Sequence, residues 1–166
     1  MTPPRPFVPP RHVAANPPAS RPETPPIDPE IPGIRMAAHI QNEGDMAFEP
    51  GQGAGAQGSK RRLEAVALYA EGINLHELEY AGVSYDGHLL PWVCPPQFTG
   101  SRGMGAPLLG FAARLSDGAA ARFDIVYSGS FFSAGAVGPV RNGEFLKSTS
   151  TGDPLEQLLI WLEPKQ

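Results

Sequence analysis

The stretch that decides the fold runs from Pro50 to Ala70 and reads "PGQGAGAQGSKRRLEAVALYA". Three of its glycines have the spacing G-x-G-x-x-G, which is typical of loops that hold a pyrophosphate: Gly53, Gly55 and Gly58. Such a loop has to follow directly on a buried parallel strand. Here Asp45, Glu49 and Pro50 come before it, and these residues do not suit a central strand. The sequence therefore predicts a connecting loop rather than a nucleotide site.

The same arrangement occurs twice more along the chain. "PPQFTGSRGMGAPLLGFAARLS" (95–116) and "RNGEFLKSTSTGDPLEQLLIWLE" (141–163) each contain a turn, a loop of small residues and an apolar segment. The three apolar segments begin at Leu63, Leu108 and Leu155, which are 45 and 47 residues apart. A period of this length is the signature of a repeat architecture. We therefore expect three repeats, at about 33–72, 77–118 and 121–163, around a pseudo-threefold axis.

A further match lies upstream of each turn, and its apolar residues alternate with others. The three segments are "IRMAAHIQNEG" (34–44), "LEYAGVSYDG" (78–87) and "ARFDIVYSGS" (121–130). Alternation of this kind next to glycines predicts strands. The apolar segments that follow the loops fit a period of two and a helical stripe equally well. The tetrapeptide Asp153-Pro154-Leu155-Glu156 even has the form of a helix start, so periodicity leaves these segments undecided.

Two of these stretches resemble a known family, the clostridial hydrophobic repeat. "AAHIQNEG" (37–44) followed by Pro50–Ala70 is similar to a strand with His-x-Gln-Asn-x-Gly, a glycine-rich turn and a Leu-Glu-Ala strand, and "NGEFLKSTSTGDPLEQLLIWL" (142–162) is similar to the second half of that repeat. The Gly-Trp pair that names the family is absent: the chain has Gly44-Asp45, Gly87-His88 and Gly129-Ser130. The resemblance implies a β-repeat module of secreted or surface-exposed proteins that binds cell-surface polymers. It favours an all-β domain, either a β-prism or a β-trefoil.

Composition limits the possible partners. The chain has 166 residues, enough for one domain and a tail, and a net charge of −4. Its one basic cluster, "KRR" at 60–62, is too small to track nucleic-acid phosphates, so we expect no nucleic-acid partner. Cys94 is the only cysteine, which rules out an internal disulfide framework and a thiolate metal cluster. No apolar run is long enough to cross a bilayer, and we expect no membrane insertion.

The first 32 residues differ from the rest of the chain. They hold twelve of the twenty prolines and no glycine, whereas all nineteen glycines follow. Such a segment cannot form helix or sheet ladders and favours polyproline II. We expect residues 1–32 to be an extended arm and residues 33–166 to be the β domain. The arm is either a free linker or an anchor that docks on a larger assembly through its five spaced apolar side chains: Phe7, Val8, Val13, Ile27 and Ile31.

No catalytic constellation is evident. The histidines lack H-x-x-H and H-E-x-x-H spacing, and no serine lies in a G-x-S-x-G turn. Cys94 lies between Trp92 and two prolines in "PWVCPP", with nothing nearby in sequence to lower its pKa, so we expect a buried and inert thiol. The sequence predicts no enzyme, no metal site and no cofactor.

Binding residues are easier to propose, because polar and aromatic groups gather near the end of each upstream strand. Mixtures of this kind hold sugars: flat rings cover C–H faces, while amides and carboxylates bind pairs of hydroxyls. The candidate ligand-binding residues are Tyr85, Asp86, His88 and Trp92 in the second unit, His39, Gln41 and Asn42 in the first, and Tyr127 in the third.

These features predict a non-enzymatic carbohydrate- or cell-envelope-binding adhesion module. The N-terminus shows no secretory signal, so we expect synthesis in the cytoplasm and action outside the cell on a released, phage-like particle, as a spike, fibre or decoration anchored by the arm. The alternative is a purely structural virion component without glycan binding. A homo-oligomer is compatible with both functions.

Overall fold

The computed structural model describes residues 24–26 and 28–165, which fold mostly as β-strands. The strands are β1 Ile34–Ile40, β2 Gly44–Phe48, β3 Ala54–Gly55, β4 Leu63–Ala70, β5 Leu78–Val83, β6 Thr99–Gly100, β7 Gly110–Leu115, β8 Phe123–Phe131, β9 Gly135–Arg141, β10 Leu146–Lys147 and β11 Leu155–Pro164. One 3₁₀ turn, Leu75–Glu77, and one short helix, α1 Asp117–Arg122, complete the described elements. The expected all-β class is therefore confirmed.

The strands form three antiparallel sheets. Their orders are β2-β1-β4-β6, β10-β7-β5 and β3-β11-β8-β9. The longest ladder in each sheet joins two strands that the sequence analysis placed in one unit: β1 with β4, β5 with β7, and β8 with β11. Because antiparallel strands need only a connection that returns along the sheet, each pair can form from residues that are close in sequence.

Three two-residue strands, β3, β6 and β10, each pair with a long strand from another part of the chain. β3 pairs with β11 through Gly55 and Gln157, β6 pairs with β4 through Thr99 and Val66, and β10 pairs with β7. In every case the short strand adds to the last long strand of a different unit. These short strands connect the three sheets to one another, and the sheets bury one common core.

That core is centred on the leucines that begin the three apolar segments. Leu63, Leu108 and Leu155 are fully buried, and main-chain hydrogen bonds link them in sequence. The Leu108 N–H donates to the Leu63 carbonyl at 2.8 Å, and the Leu155 N–H donates to the Leu108 carbonyl at 2.9 Å. Three distant parts of the sequence therefore meet at one place, where their apolar side chains are removed from water.

Two buried tyrosines stand beside this centre and pack on Phe111. The ring of Tyr80 stacks on Phe111 at 6.3 Å between centroids, and the ring of Tyr127 meets it edge-on at 5.8 Å. Their hydroxyls donate to the carbonyls of Gln97 and Glu144, respectively, each 17 residues further along the chain. Burial raises the pKa of Tyr80 to about 12, which keeps it a donor.

Tyr127 was expected at the binding surface, and the structure corrects this. Its side chain has no exposed area, and its hydroxyl is engaged by the Glu144 carbonyl. Strand β8 is buried along almost its whole length, so an aromatic residue near its end does not reach solvent. Phe131, on the same strand, is likewise a core residue.

The segments left undecided between helix and strand are strands: β4, β7 and β11. Periodicity could not distinguish them because both of their faces are covered. In β4 every residue except Tyr69 is buried, so the apolar residues do not alternate with polar ones. Asp153 and Pro154 do not begin a helix, because β11 starts immediately after them at Leu155.

The helix α1 was not predicted, and it shortens the strand expected at 121–130. Residues 121 and 122 belong to the helix, and β8 begins at Phe123. The buried carboxylate of Glu77 accepts the Ala119 N–H at 2.8 Å and holds the start of the helix against the preceding turn. This hydrogen bond comes from a residue 42 positions away, so the local sequence does not reveal it.

The last residues of the predicted arm pack on the domain. Ile31 contacts the hydrophobic core, and the Thr24 hydroxyl donates to the Gly51 carbonyl at 3.1 Å. The contacts of the domain therefore extend before the predicted boundary at residue 33. Of the proposed anchors, Phe7, Val8, Val13 and Ile27 lie outside the described residues.

Two glycines of the first loop give a matched test of this packing. Gly55 and Gly58 both have left-handed backbone angles, with φ of 80° and 81°, but a Cβ on Gly55 would fall against the Glu156 carbonyl oxygen whereas a Cβ on Gly58 would meet open space. We expect Gly58→Ala to lower the free energy of unfolding by about 1–2 kcal/mol through backbone strain alone. Gly55→Ala should cost clearly more, as measured by urea denaturation. Equal losses would contradict the packing of β3 on β11.

Candidate functional site

The glycine-rich loop after β3 is an anion site that the protein fills with its own carboxylate. A β-bulge between Leu155 and Gln157 sets Glu156 apart from the ladder with β8. The Glu156 carboxylate is buried and accepts the Gly58 N–H at 2.5 Å, the Lys60 N–H at 3.1 Å and the Ser130 hydroxyl at 2.8 Å. Main-chain N–H groups of a turn that point toward one place form such concave anion sites.

This arrangement explains the glycine spacing without a nucleotide. Left-handed backbone at Gly55, Gly58 and Lys60 brings the Gly58 and Lys60 N–H groups toward β11, where they meet Glu156. The loop runs from a two-residue strand into an antiparallel strand, whereas a pyrophosphate loop runs from a parallel strand into a helix. The spacing therefore serves the junction of two sheets.

The loop after β6 makes a second junction of the same kind. Gly100, Gly103 and Gly105 have φ of 97°, 79° and 66°, and they lie at the same distances before Leu108 as Gly55, Gly58 and Lys60 lie before Leu63. The strand that receives this loop also carries a bulge with a buried glutamate, Glu64. The Ser101 N–H donates to the Glu64 carbonyl at 3.1 Å, and the Arg62 guanidinium binds its carboxylate at 2.8 Å.

The first predicted group, His39, Gln41 and Asn42, lies around this second junction. The His39 ring stands between two carboxylates, with Nδ1 at 2.8 Å from Asp45 Oδ1 and Nε2 at 3.5 Å from Glu64 Oε1. The Gln41 amide oxygen accepts the Arg62 N–H at 3.3 Å, and Asn42 adopts a left-handed turn conformation. The side chains of His39 and Gln41 thus bind neighbouring segments of the protein: β2, β4 and the residue just before β4.

The third junction, formed by the loop after β10, departs from the other two. It leads from Lys147 to Leu155 over the same number of residues, but Leu109, just before the receiving strand β7, stands where the other junctions have Glu64 and Glu156. Of the three corresponding loop positions, only Gly152 is left-handed. The carboxylate comes instead from the loop: Asp153 accepts the Ser133 and Ala134 N–H groups at 2.7 and 2.9 Å.

Asp153 connects the third loop to the segment after β8. It also accepts the Ser148 hydroxyl at 2.6 Å, and the same hydroxyl accepts the Ser150 N–H at 2.9 Å. Burial alone would raise the pKa of Asp153, but the hydrogen bonds from Ser148, Ala134 and Ser133 more than offset it and hold the pKa below its usual range. The carboxylate is therefore ionised at neutral pH and accepts all of these hydrogen bonds.

An open cleft lies at this third junction. Its volume is about 270 Å³, and it separates the turn after β5 from the loop after β10. The lining residues include Tyr85, Asp86 and Gly87 on one side, Lys147, Ser148, Ser150 and Thr151 on the other, and Leu109 between them. Tyr85 is 67% exposed, the most of any described tyrosine, and presents its ring to solvent. The cleft thus combines an exposed ring with hydroxyls and opposite charges.

Asp86 is fixed within its turn. It accepts the Ser84 hydroxyl and the His88 N–H, the latter at 3.2 Å, and its second oxygen lies 3.0 Å from His88 Nδ1. These hydrogen bonds, with Ser84 the largest contributor, hold the pKa of Asp86 far below its usual range. Of the second predicted group, Tyr85 and Asp86 line the cleft, whereas His88 binds Asp86 but does not line the cleft.

Trp92 does not join this group. It is half-buried further along the hairpin, where the Arg114 guanidinium lies 3.9 Å from its ring centre and also binds Glu79 at 3.1 Å. Val93, the next residue, pairs with Tyr80 in the middle of β5, away from the turn that carries Tyr85 and Asp86. Cys94 is half-buried rather than fully buried, with its sulfur 4.0 Å from the His76 carbonyl.

The sequence analysis missed the second wall of the cleft. Lys147, Ser148, Ser150 and Thr151 lie about 60 residues after Tyr85, in a loop examined only as a repeat connection. Two signals could have found it: the third loop, "KSTSTG", has only one glycine, fewer than either of the other two loops, and Leu109 replaces the glutamate that follows the opening leucine elsewhere. Both differences fall at the same junction.

Comparisons with known proteins give no further guide. No family model matches the chain, and neither does any curated protein or solved structure. Within the described residues, no helix has the length and apolar character required to cross a membrane. Over the same residues, no set of three or more His, Cys, Asp or Glu side chains is arranged to hold a metal ion.

The internal carboxylate of the first junction can be tested by removal. Glu156→Ala leaves the Gly58 and Lys60 N–H groups and the Ser130 hydroxyl without their acceptor, so we expect the free energy of unfolding to fall by about 2–4 kcal/mol. Glu71→Ala is the matched control, because the Glu71 side chain is 77% exposed and should change stability by less than about 0.5 kcal/mol. Similar small effects of both substitutions in urea denaturation would show that the carboxylate does not hold the loop.

Proposed function

We propose that the domain consists of three repeats around a pseudo-threefold axis. Three junctions support this, each made of a short strand, a loop of constant length and a central leucine. Each short strand adds to the last strand of a different repeat, which is the cyclic exchange expected of a closed threefold arrangement. Two junctions also share the bulge and the buried glutamate, and two repeats share a buried tyrosine bonded to a carbonyl 17 residues later.

Of the two architectures considered, the β-prism fits better. A trefoil closes its long strands into one barrel, whereas the long strands here divide into three separate sheets. The likeness of two repeats to the clostridial hydrophobic repeat is part of the same proposal. In that family the module is borne by secreted or surface-exposed proteins.

We further propose that the protein is a non-enzymatic carbohydrate-binding module and that the cleft at the third junction is its ligand site. The observation that carries this proposal is the exposed ring of Tyr85 at the edge of a cleft rich in hydroxyls and carboxylate oxygens. An aromatic ring covers the C–H face of a sugar, while carboxylates, hydroxyls and an ammonium group bind its hydroxyls. The volume of about 270 Å³ lies near the lower end of the range for small-molecule sites, which suits a small ligand.

The walls of the cleft are organised before a ligand arrives. Asp86 is held by Ser84 and His88, and the opposite loop is held by Asp153. Little conformational entropy is then lost on binding, which favours affinity for a small and strongly hydrated ligand. The lowered pKa values of both carboxylates also favour binding over catalysis, because a general acid needs a pKa near the working pH.

This function accords with an adhesion module that recognises a cell envelope, such as one carried on a phage-like particle. The second candidate is a structural component of such a particle. It is favoured by an apolar groove of about 270 Å³ between residues 24–26 and 28–34 on one side and the end of β11 on the other, lined by prolines, Ile31 and Trp161. In that case the groove would mediate assembly, and the cleft would bind no sugar.

A glycan array separates the two candidates. We expect the fluorescently labelled protein to bind a defined subset of immobilised saccharides and Tyr85→Ala to weaken this binding by about five- to tenfold, the effect of losing roughly 1 kcal/mol of aromatic contact. Tyr69→Ala is the matched control, since Tyr69 is 40% exposed but lies on β4, outside the cleft. Binding to no saccharide, or equal binding by the Tyr85→Ala protein, would reject the proposed site.

A further inference from the structure

The charges around the cleft are unequal. Two carboxylates belong to its lining, Asp86 on the turn and Asp153 on the loop, and one cation, Lys147, faces them. His88 pairs with Asp86 at 3.0 Å but does not line the cleft. Hydrogen bonds from its own turn lower the pKa of Asp86, and hydrogen bonds from Ser148 and from the segment after β8 lower that of Asp153, so both are negatively charged at neutral pH.

The two carboxylates differ in what they can offer a ligand. Asp153 is buried and is occupied by two N–H groups and one hydroxyl. Asp86 is half-exposed and binds Ser84 and His88, which leaves part of its acceptor capacity facing solvent. A ligand hydroxyl can donate to Asp86, whereas a ligand carboxylate beside it would be repelled.

Lys147 is too exposed to reverse this preference. Its ammonium group lies 5.8 Å from the ring centre of Phe145 at the solvent-exposed edge of the loop. It can donate to a hydroxyl as readily as to a carboxylate, and exposed ion pairs contribute little to binding because solvent screens them. The two carboxylates outnumber this one cation, so the charged residues that line the cleft carry a net negative charge.

The other two junctions show what the third one lacks. There, a carboxylate enters from the neighbouring strand and is met by donors: the loop N–H groups around Glu156, and Arg62 beside Glu64. At the third junction Leu109, just before β7, takes the place of the glutamate, and the Ser133 N–H and the Ser148 hydroxyl donate to Asp153. The third junction therefore has no glutamate after its leucine, and the donors that could bind an anion already bind Asp153.

We propose that the cleft selects an uncharged, hydroxyl-rich sugar ring and rejects the corresponding uronic acid. The inference rests on the proposed carbohydrate-binding function and specifies its ligand class. In the bound complex the ring lies against Tyr85, and vicinal hydroxyls donate to Asp86 and accept from Lys147. A carboxylate in place of the C6 hydroxymethyl group would enter the field of Asp86 and Asp153.

The test compares sugars that differ only at C6. Methyl glycosides of glucose, galactose and mannose are titrated by calorimetry into the full chain beside the methyl glycosides of the matching uronic acids. For the best-bound neutral sugar we expect its uronate partner to bind at least about tenfold more weakly at low salt. The gap should narrow when the ionic strength is raised to about 0.5 M, because salt screens charge repulsion but not a steric clash.

Substitution of the turn carboxylate identifies the source of the rejection. Asp86→Asn keeps the size of the side chain and removes its charge, so we expect the gap between neutral sugar and uronate to shrink severalfold. Glu71→Gln removes an equal charge outside the cleft and should leave the gap unchanged. A smaller gap in Asp86→Asn with no change in Glu71→Gln supports the inference.

The possible failures are distinct. Uronates that bind as tightly as the neutral sugars, or a gap unaffected by both salt and Asp86→Asn, would overturn the selection for uncharged sugars while leaving carbohydrate binding in place. Binding of neither class would overturn the proposed function and this inference with it.

Discussion

The buried carboxylate of Glu156 is the constraint on which the closure of the domain depends. It fixes the loop after β3 to the last strand, and so joins the beginning of the domain to its end. A buried charge is tolerated only when donors surround it, and the left-handed backbone at Gly58 and Lys60 brings two main-chain donors to it. The bulge in β11, the glycines of the loop and the short strand β3 are parts of this single contact. Next to it, main-chain hydrogen bonds link the three central leucines.

The three junctions use one geometry with different chemistry, and this difference links the fold to the proposed function. Glu156 is met by main-chain donors and Glu64 by Arg62 and His39, so both sites are filled from within the protein. Where Leu109 replaces the glutamate, Asp153 takes over the support of the loop region, and the space beside it remains open to Tyr85 and Asp86. In the proposed threefold arrangement, two junctions stabilise the domain and the third is free to bind a ligand.

Local patterns in the sequence predicted three of the strands and the spacing of the apolar segments. Alternation identified β1, β5 and β8, and the recurrent leucines marked where the apolar segments of β4, β7 and β11 begin, but periodicity left those three segments undecided between helix and strand. Local patterns failed where burial or distant contacts decide. Tyr127 carries a polar hydroxyl but lies in the core. Trp92 packs against Arg114 outside the cleft, and the start of α1 is bound by the distant Glu77. The second wall of the cleft comes from a loop far along the chain, so only the fold brings it to Tyr85.

The most direct test of a ligand cleft at the third junction is a nuclear magnetic resonance titration of the ¹⁵N-labelled protein with the best-bound neutral methyl glycoside. Saturable shifts are expected for the amides of residues 84–88 and 147–152, which form the two walls. The amides of residues 55–60 and 100–105, in the junctions filled from within, should not move. Shifts centred on His39 or Trp92 instead, or no shifts at millimolar sugar, would contradict the assignment of the cleft as the binding site.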